Sequence, residues 1–159
     1  MNDPALYRPC VGVMLVNAQG RAFVGKRIDN KEGDFWQMPQ GGVDEGEDPG
    51  RAVLRELWEE TGAAAEHVEV VTHLPRELFY ELPDNLKGKL WGGRYLGQRQ
   101  TWYLARFLGR DEDVNIATHE PEFRAWRWVD ARDLPRLIVP FKKALYEAVL
   151  VEFADYLPK

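Results

Sequence analysis

Residues 55–62, RELWEETG, crowd three glutamates into about one and a half turns of a helix. Both ends of that helix are written into the flanking residues. Asp48 offers an N-cap side chain, Pro49 the fixed φ suited to a first helical position, and Gly62 a left-handed stop. A helix is therefore expected over 49–61. Like charges three and four residues apart on a helix repel by a few tenths of a kcal/mol per pair. At about 100° per residue, Glu59 and Glu60 lie at about −60° and +40° from Glu56, so all three carboxylates share an arc of about 100°. Val53, Leu54, Leu57 and Trp58 fill the neighbouring arc and are expected to pin the helix to a core. A solvated acidic surface is the ordinary outcome for such a face. Beside a loop holding Gly41, Gly42 and Gly46, it also suits a hard divalent cation, which takes oxygen ligands and shares itself with substrate phosphates.

Absences narrow the chemistry further. The 159 residues contain no serine, which excludes serine nucleophiles, including the G-x-S-x-G elbow. Neither a P-loop nor an H-E-x-x-H pair is present. His67, His73 and His119 lack ligand-like spacing and read as structural. Cys10 is the only cysteine, so an internal disulfide or multi-cysteine metal site is excluded. Any reaction here runs on carboxylates. A net charge of −5 provides no global field to attract duplex DNA or an anionic membrane. With no apolar run of spanning length, a reducing, cytoplasmic setting without a membrane partner is expected.

The rest of the chain reads as one α+β domain over 1–159, with a mixed sheet and helices packed on it. VGVMLV (11–16) and AFVGK (22–26) form a hairpin joined at NAQG, and FWQMPQGG (35–42) leads into the glycine loop. Further strands are expected at 67–74, 77–82, 100–108 and 123–129, with an ordered loop over 83–99. Pro140 opens a second helix with an apolar stripe of Phe141, Leu145, Val149 and Phe153.

GGVDEGEDPGRAVLRELWEETGA resembles the Nudix box, a glycine, five residues, glutamate, seven residues, then Arg-Glu-aliphatic-x-Glu-Glu-x-Gly-aliphatic. Here those positions are Gly41, Glu47, Arg55, Glu56, Leu57, Glu59, Glu60 and Gly62, with Ala63 standing where a larger aliphatic is usual. The resemblance implies an αβα sandwich around a mixed sheet, Mg²⁺ or Mn²⁺, and a substrate built on a nucleoside diphosphate. It implies that Glu56, Glu59 and Glu60 are metal ligands, joined by the Gly41 carbonyl, and that Glu47 and Arg55 brace the box. On helix geometry alone, Arg55 can pair with Glu47 or Glu59 in a structural role. A bound metal would acidify water for in-line attack on phosphorus, with a metal-free carboxylate as general base.

The flanks YRPCVGVMLVN, FWQMPQGG, GQRQTWYL and PEFRAWRWV are similar to the branch of bacterial RNA pyrophosphohydrolases and diadenosine-polyphosphate hydrolases, from about Tyr7 to Phe153. That resemblance implies substrate phosphates at Arg8 and Arg27, a nucleobase near Tyr80 and Phe141, and a role at the metal or as base for Glu122. Which of Glu56, Glu59, Glu60 and Glu122 is the base stays open. Two substrates compete: the 5′-triphosphate end of RNA, yielding pyrophosphate, and a dinucleoside polyphosphate such as Ap4A, yielding ATP and AMP. The loop over 84–102 interleaves Lys87, Lys89, Arg94 and Arg99 with Trp91, Tyr95 and Trp102, a mixture that suits phosphates and unpaired bases and favours RNA. A fold of this kind that only senses nucleotides is the contrasting class. It would be expected to lose box glutamates, and none is lost here.

Overall fold

The computed structural model describes residues 3–29 and 33–158. Seven strands form one mixed sheet: β1 (Tyr7–Val16), β2 (Ala22–Arg27), β3 (Gln40–Gly42), β4 (Val68–His73), β5 (Leu78–Glu81), β6 (Gly97–Phe107) and β7 (Phe123–Val129). Its spine is the parallel pair β1–β6, in register from Tyr7 opposite Gly97 to Val16 opposite Arg106. The remaining pairings are antiparallel. Along the path β4–β6–β1–β2–β7, the short strands β3 and β5 complete one end, beside β1 and β6 respectively.

Alternation along β1 builds two cores, because successive side chains leave a strand on opposite faces. Val11, Val13 and Leu15 face helix α1 (Pro49–Thr61) together with Ala52, Val53 and Leu57. Met14 and Val16 face the other layer with Leu145, Val149 and Phe153 of helix α3 (Lys143–Phe153). The sheet is thus covered on both sides, as an αβα sandwich requires. Helix α1 ends where its caps say: the Asp48 side chain accepts from the Arg51 N–H, and Gly62 takes φ 73°. A side chain at Gly62 would also press on the backbone of Asn115.

Several expectations need correcting. The face of α1 turned to the sheet is rotated: Ala52, Val53, Glu56, Leu57 and Glu60 are buried, Leu54 is half-buried, and Trp58 is 59% exposed. Strand β1 begins at Tyr7 rather than Val11, and β6 begins at Gly97, so residues 97–99 of the expected 83–99 loop are sheet. Gln40–Gly42 is a short strand against β1, inside what reads as a glycine loop. Pro140–Lys142 is a 3-10 turn, and a four-residue helix α2 (Leu134–Leu137) precedes it. Leu145, Val149 and Phe153 are buried as a stripe, while Phe141 is only half-buried. No helix among the described residues is long and apolar enough to cross a membrane.

Candidate active site

The site starts from the pairing of β3 with β1. Gly41 and Gly42 lie opposite Val11 and Cys10, which carries the glycine loop across the end of α1. A β-carbon at Gly41 would overlap the Glu56 carboxylate, so only glycine lets that side chain lie against the backbone. Arg55 ties the parts together. Its Nε donates to Glu47 Oε2 at 2.8 Å, and its Nη2 to Glu47 Oε1 at 2.9 Å and to the Gly42 carbonyl at 2.8 Å. Nη1 donates to Glu56 Oε1 at 2.9 Å and Glu59 Oε2 at 3.1 Å. Arg55 therefore braces loop and helix through both expected partners and two further groups. Its guanidinium holds the Glu47 carboxyl down to about 2, with help from the Asp44 N–H.

The three helix glutamates occupy unlike surroundings. Glu56 is pushed up to about 7, first by burial, against which Arg55 acts; Glu59 and Glu122 push it further up. Glu60 is 2% exposed and raised far above the ordinary carboxylate range by burial, then by Glu56 and Glu122. Its Oε2 accepts the Gln40 N–H at 3.2 Å. Glu59 is exposed, and the Thr118 hydroxyl donates to its carbonyl at 2.6 Å. Glu122 arrives from the loop before β7, held by the Ile28 N–H on its carbonyl, with its carboxylate 3.8 Å from Arg27 Nη1.

Glu56, Glu59 and Glu122 line a cavity of about 810 Å³ that Arg8, Arg27 and Gly41 also face. On its far wall Tyr80 and Phe141 pack with ring centroids 5.9 Å apart. All the resemblance-implied phosphate and nucleobase residues thus share one space. Glu60 opens instead into an adjoining cavity of about 540 Å³, which also borders Glu56, Glu59 and Glu122. Sequence reasoning missed Lys142, whose Nζ sits 5.1 Å from the Tyr80 ring centroid. Burial, and then Arg27, lowers its ammonium to about 8. The signal was the Phe-Lys-Lys after Pro140, read only for its apolar stripe. Asp29 was missed too, although it forks onto Arg27 at 2.8 Å through both oxygens. Gln98 and Gln100 are buried, in a chain running from Trp102 Nε1 to Gln100 Oε1 (2.8 Å) and from Gln100 Nε2 to Gln98 Oε1 (2.6 Å).

The donor set fits a hard divalent cation. It consists of carboxylates without thiol or imidazole, and two of them are buried with too little positive charge beside them. Among the described residues no three acidic, histidine or cysteine side chains converge on one point as ligands; Arg55 instead gathers Glu56 and Glu59. The metal-free protein should show the cost of these carboxylates in its pH dependence. Folded Glu56 keeps its proton to about pH 7, against an ordinary value of 4.5. The folded state then binds the extra proton between those limits, so stability falls as pH rises through that window, and Glu60 acts in the same sense. Mg²⁺ is expected to raise Tm more at pH 8 than at pH 5, as read by thermal melts against EDTA. A Tm indifferent to Mg²⁺ at pH 8 would remove these carboxylates as its ligands.

A family model described as the NUDIX domain matches residues 6–149. An RNA pyrophosphohydrolase of Novosphingobium aromaticivorans is 60% identical over 150 residues, covering 94% of this chain and 93% of that protein. Another, of Sphingopyxis alaskensis, is 55% identical over 152 residues, covering 96% of each. Among solved structures, the E. coli dihydroneopterin triphosphate pyrophosphohydrolase aligns with a TM-score of 0.70 at 22% identity, over 92% of this chain and 99% of that one. A C. elegans Ap4A hydrolase binary complex aligns with a TM-score of 0.65 at 21% identity, over 92% and 98%. At such identities these structures share the fold.

Proposed function

The chain belongs to the Nudix family of hydrolases, and from that premise we propose that it is a Mg²⁺-dependent enzyme removing pyrophosphate from the 5′-triphosphate end of RNA. The observation that carries this is the single cavity in which Arg8, Arg27 and Lys142 face Glu56, Glu59 and Glu122, with Tyr80 and Phe141 on its wall. The names of the relatives that are more than half identical along nearly the whole chain support the choice of RNA.

Glu56, Glu59, Glu60 and the Gly41 carbonyl would hold the cation. When bound, it supplies charge neutralisation at phosphate oxygens and makes water more acidic. Arg8 and Arg27 grip the phosphate chain, their charge offsetting what builds up on the leaving pyrophosphate. Tyr80 and Phe141 offer ring faces to a nucleobase, with Lys142 beside them. Water forms the new bond to phosphorus as the phosphoanhydride bond breaks. Its proton goes to Glu122, the carboxylate of the set that neither pairs with Arg55 nor is assigned to the cation.

A competition between a short 5′-triphosphorylated RNA and Ap4A, with Mg²⁺ and again with EDTA, tests the reading. The RNA is expected to be cleaved with the higher kcat/KM, and EDTA to abolish cleavage. A reversed preference, yielding ATP and AMP, would make the enzyme a dinucleotide hydrolase.

A further inference from the structure

Trp91 is the only non-glycine residue at positive φ (51°) among the described residues. Left-handed backbone is costly for a residue bearing a β-carbon, and such positions concentrate where function over-determines them. Its neighbours Gly88, Gly92 and Gly93 adopt the same region, at φ 80°, 67° and 73°. The segment KGKLWGG thus spends glycine freely around one position that keeps an indole. What the indole touches accounts for the exception. The guanidinium carbon of Arg8 lies 5.5 Å from the ring centroid, and Tyr95 packs edge-on at 6.2 Å. The ring is also packed against the α3-side core. On its other side Arg8 meets the glycine loop, where a β-carbon at Gly42 would collide with Nη2.

A guanidinium can be held in two ways that differ in what they leave over. A carboxylate uses its in-plane N–H donors, as Asp29 does with Arg27. An aromatic face attracts its charge from above and leaves those donors free. We propose that Trp91 is a positioning residue, which holds the Arg8 guanidinium flat at the cavity wall so that its N–H groups meet a substrate phosphate. This rests on the reading of Arg8 as a phosphate-binding residue. It makes the loop over 82–96 part of the phosphate site through one ring, with the Gly42 backbone as the opposing stop.

The test is calorimetric binding of a non-hydrolysable, methylene-bridged nucleoside triphosphate analogue with Mg²⁺, so that no turnover is needed. Trp91→Leu keeps apolar packing but removes the π face; Trp91→Phe restores a face. Trp91→Leu is expected to weaken Kd about 5–10-fold, and Trp91→Phe to recover most of the loss. In an Arg8→Gln background, Trp91→Leu should add less than about twofold, since the two act as one unit. Melting temperatures of both Trp91 variants should stay near wild type. If Arg8→Gln leaves Kd unchanged, the phosphate reading of Arg8 falls and the inference with it. If Arg8→Gln weakens binding while Trp91→Leu does not, or the two losses multiply, the inference about Trp91 alone is overturned.

Discussion

A Glu60→Gln enzyme is expected to lose on the order of 10²–10³-fold in kcat/KM while melting at a higher temperature than wild type in EDTA at pH 8. The two effects have opposite signs because they arise in different states of one carboxylate. Without metal, Glu60 is a buried acid 2% exposed, facing Glu56 and Glu122 with only the Gln40 N–H and the more distant Arg27 in its favour. Ionising it at pH 8 costs folding free energy. Glutamine keeps the shape and an oxygen for the Gln40 N–H but carries no charge, which relieves that cost. In the proposed metal-bound state, the same loss of charge would remove a ligand from the cation that neutralises phosphate. Thermal melts in EDTA and steady-state kinetics in Mg²⁺ read the two halves. A variant that melts lower and still turns over normally would assign Glu60 to the core alone.

The second large effect falls on the scaffold. Gly97→Ala is expected to destabilise by about 2–3 kcal/mol, as overpacked sites do. Gly97 opens β6, between Tyr7 of β1 and Glu81 of β5. A β-carbon there would run into the Tyr80 carbonyl and come within 2.8 Å of the Glu81 Cα. Both obstacles are backbone, so neither can rotate away, and β5 must move as a unit. Because β5 carries Tyr80, affinity for a nucleotide should fall along with the urea midpoint. An unchanged midpoint would mean that β5 is free to yield.

What could be read in advance follows from how local its cause is. The ends of α1 were legible because Asp48, Pro49 and Gly62 act within one turn of themselves, and the box residues because their spacing is fixed along one segment. The orientation of α1 was not. Apolar periodicity turns Trp58 inward and the glutamates outward, whereas the helix buries Glu56 and Glu60 and leaves Trp58 59% exposed. A site that buries charge breaks the local rule that sequence reading depends on. The start of β6, Gly97–Arg99, failed for a related reason: Gln98 looks like a loop residue, yet it is buried and satisfied by Gln100, which in turn accepts from Trp102. Lys142 was out of reach because its neighbours at the cavity, Tyr80 and Arg27, come from distant strands.

The parallel spine also governs when the molecule can form. Every rung joining β1 to β6 links residues about 90 positions apart, and contacts of such separation slow folding because a long loop must close before they repay it. On the ribosome, β1 is made before β6, so its longest pairing waits for Gly97–Phe107 to emerge. Until then the apolar run from Val11 to Val16 has only the hairpin rung to β2 and the short β3 as ladder partners. A nascent chain stalled before residue 97 should therefore be the form most exposed to strand-to-strand aggregation.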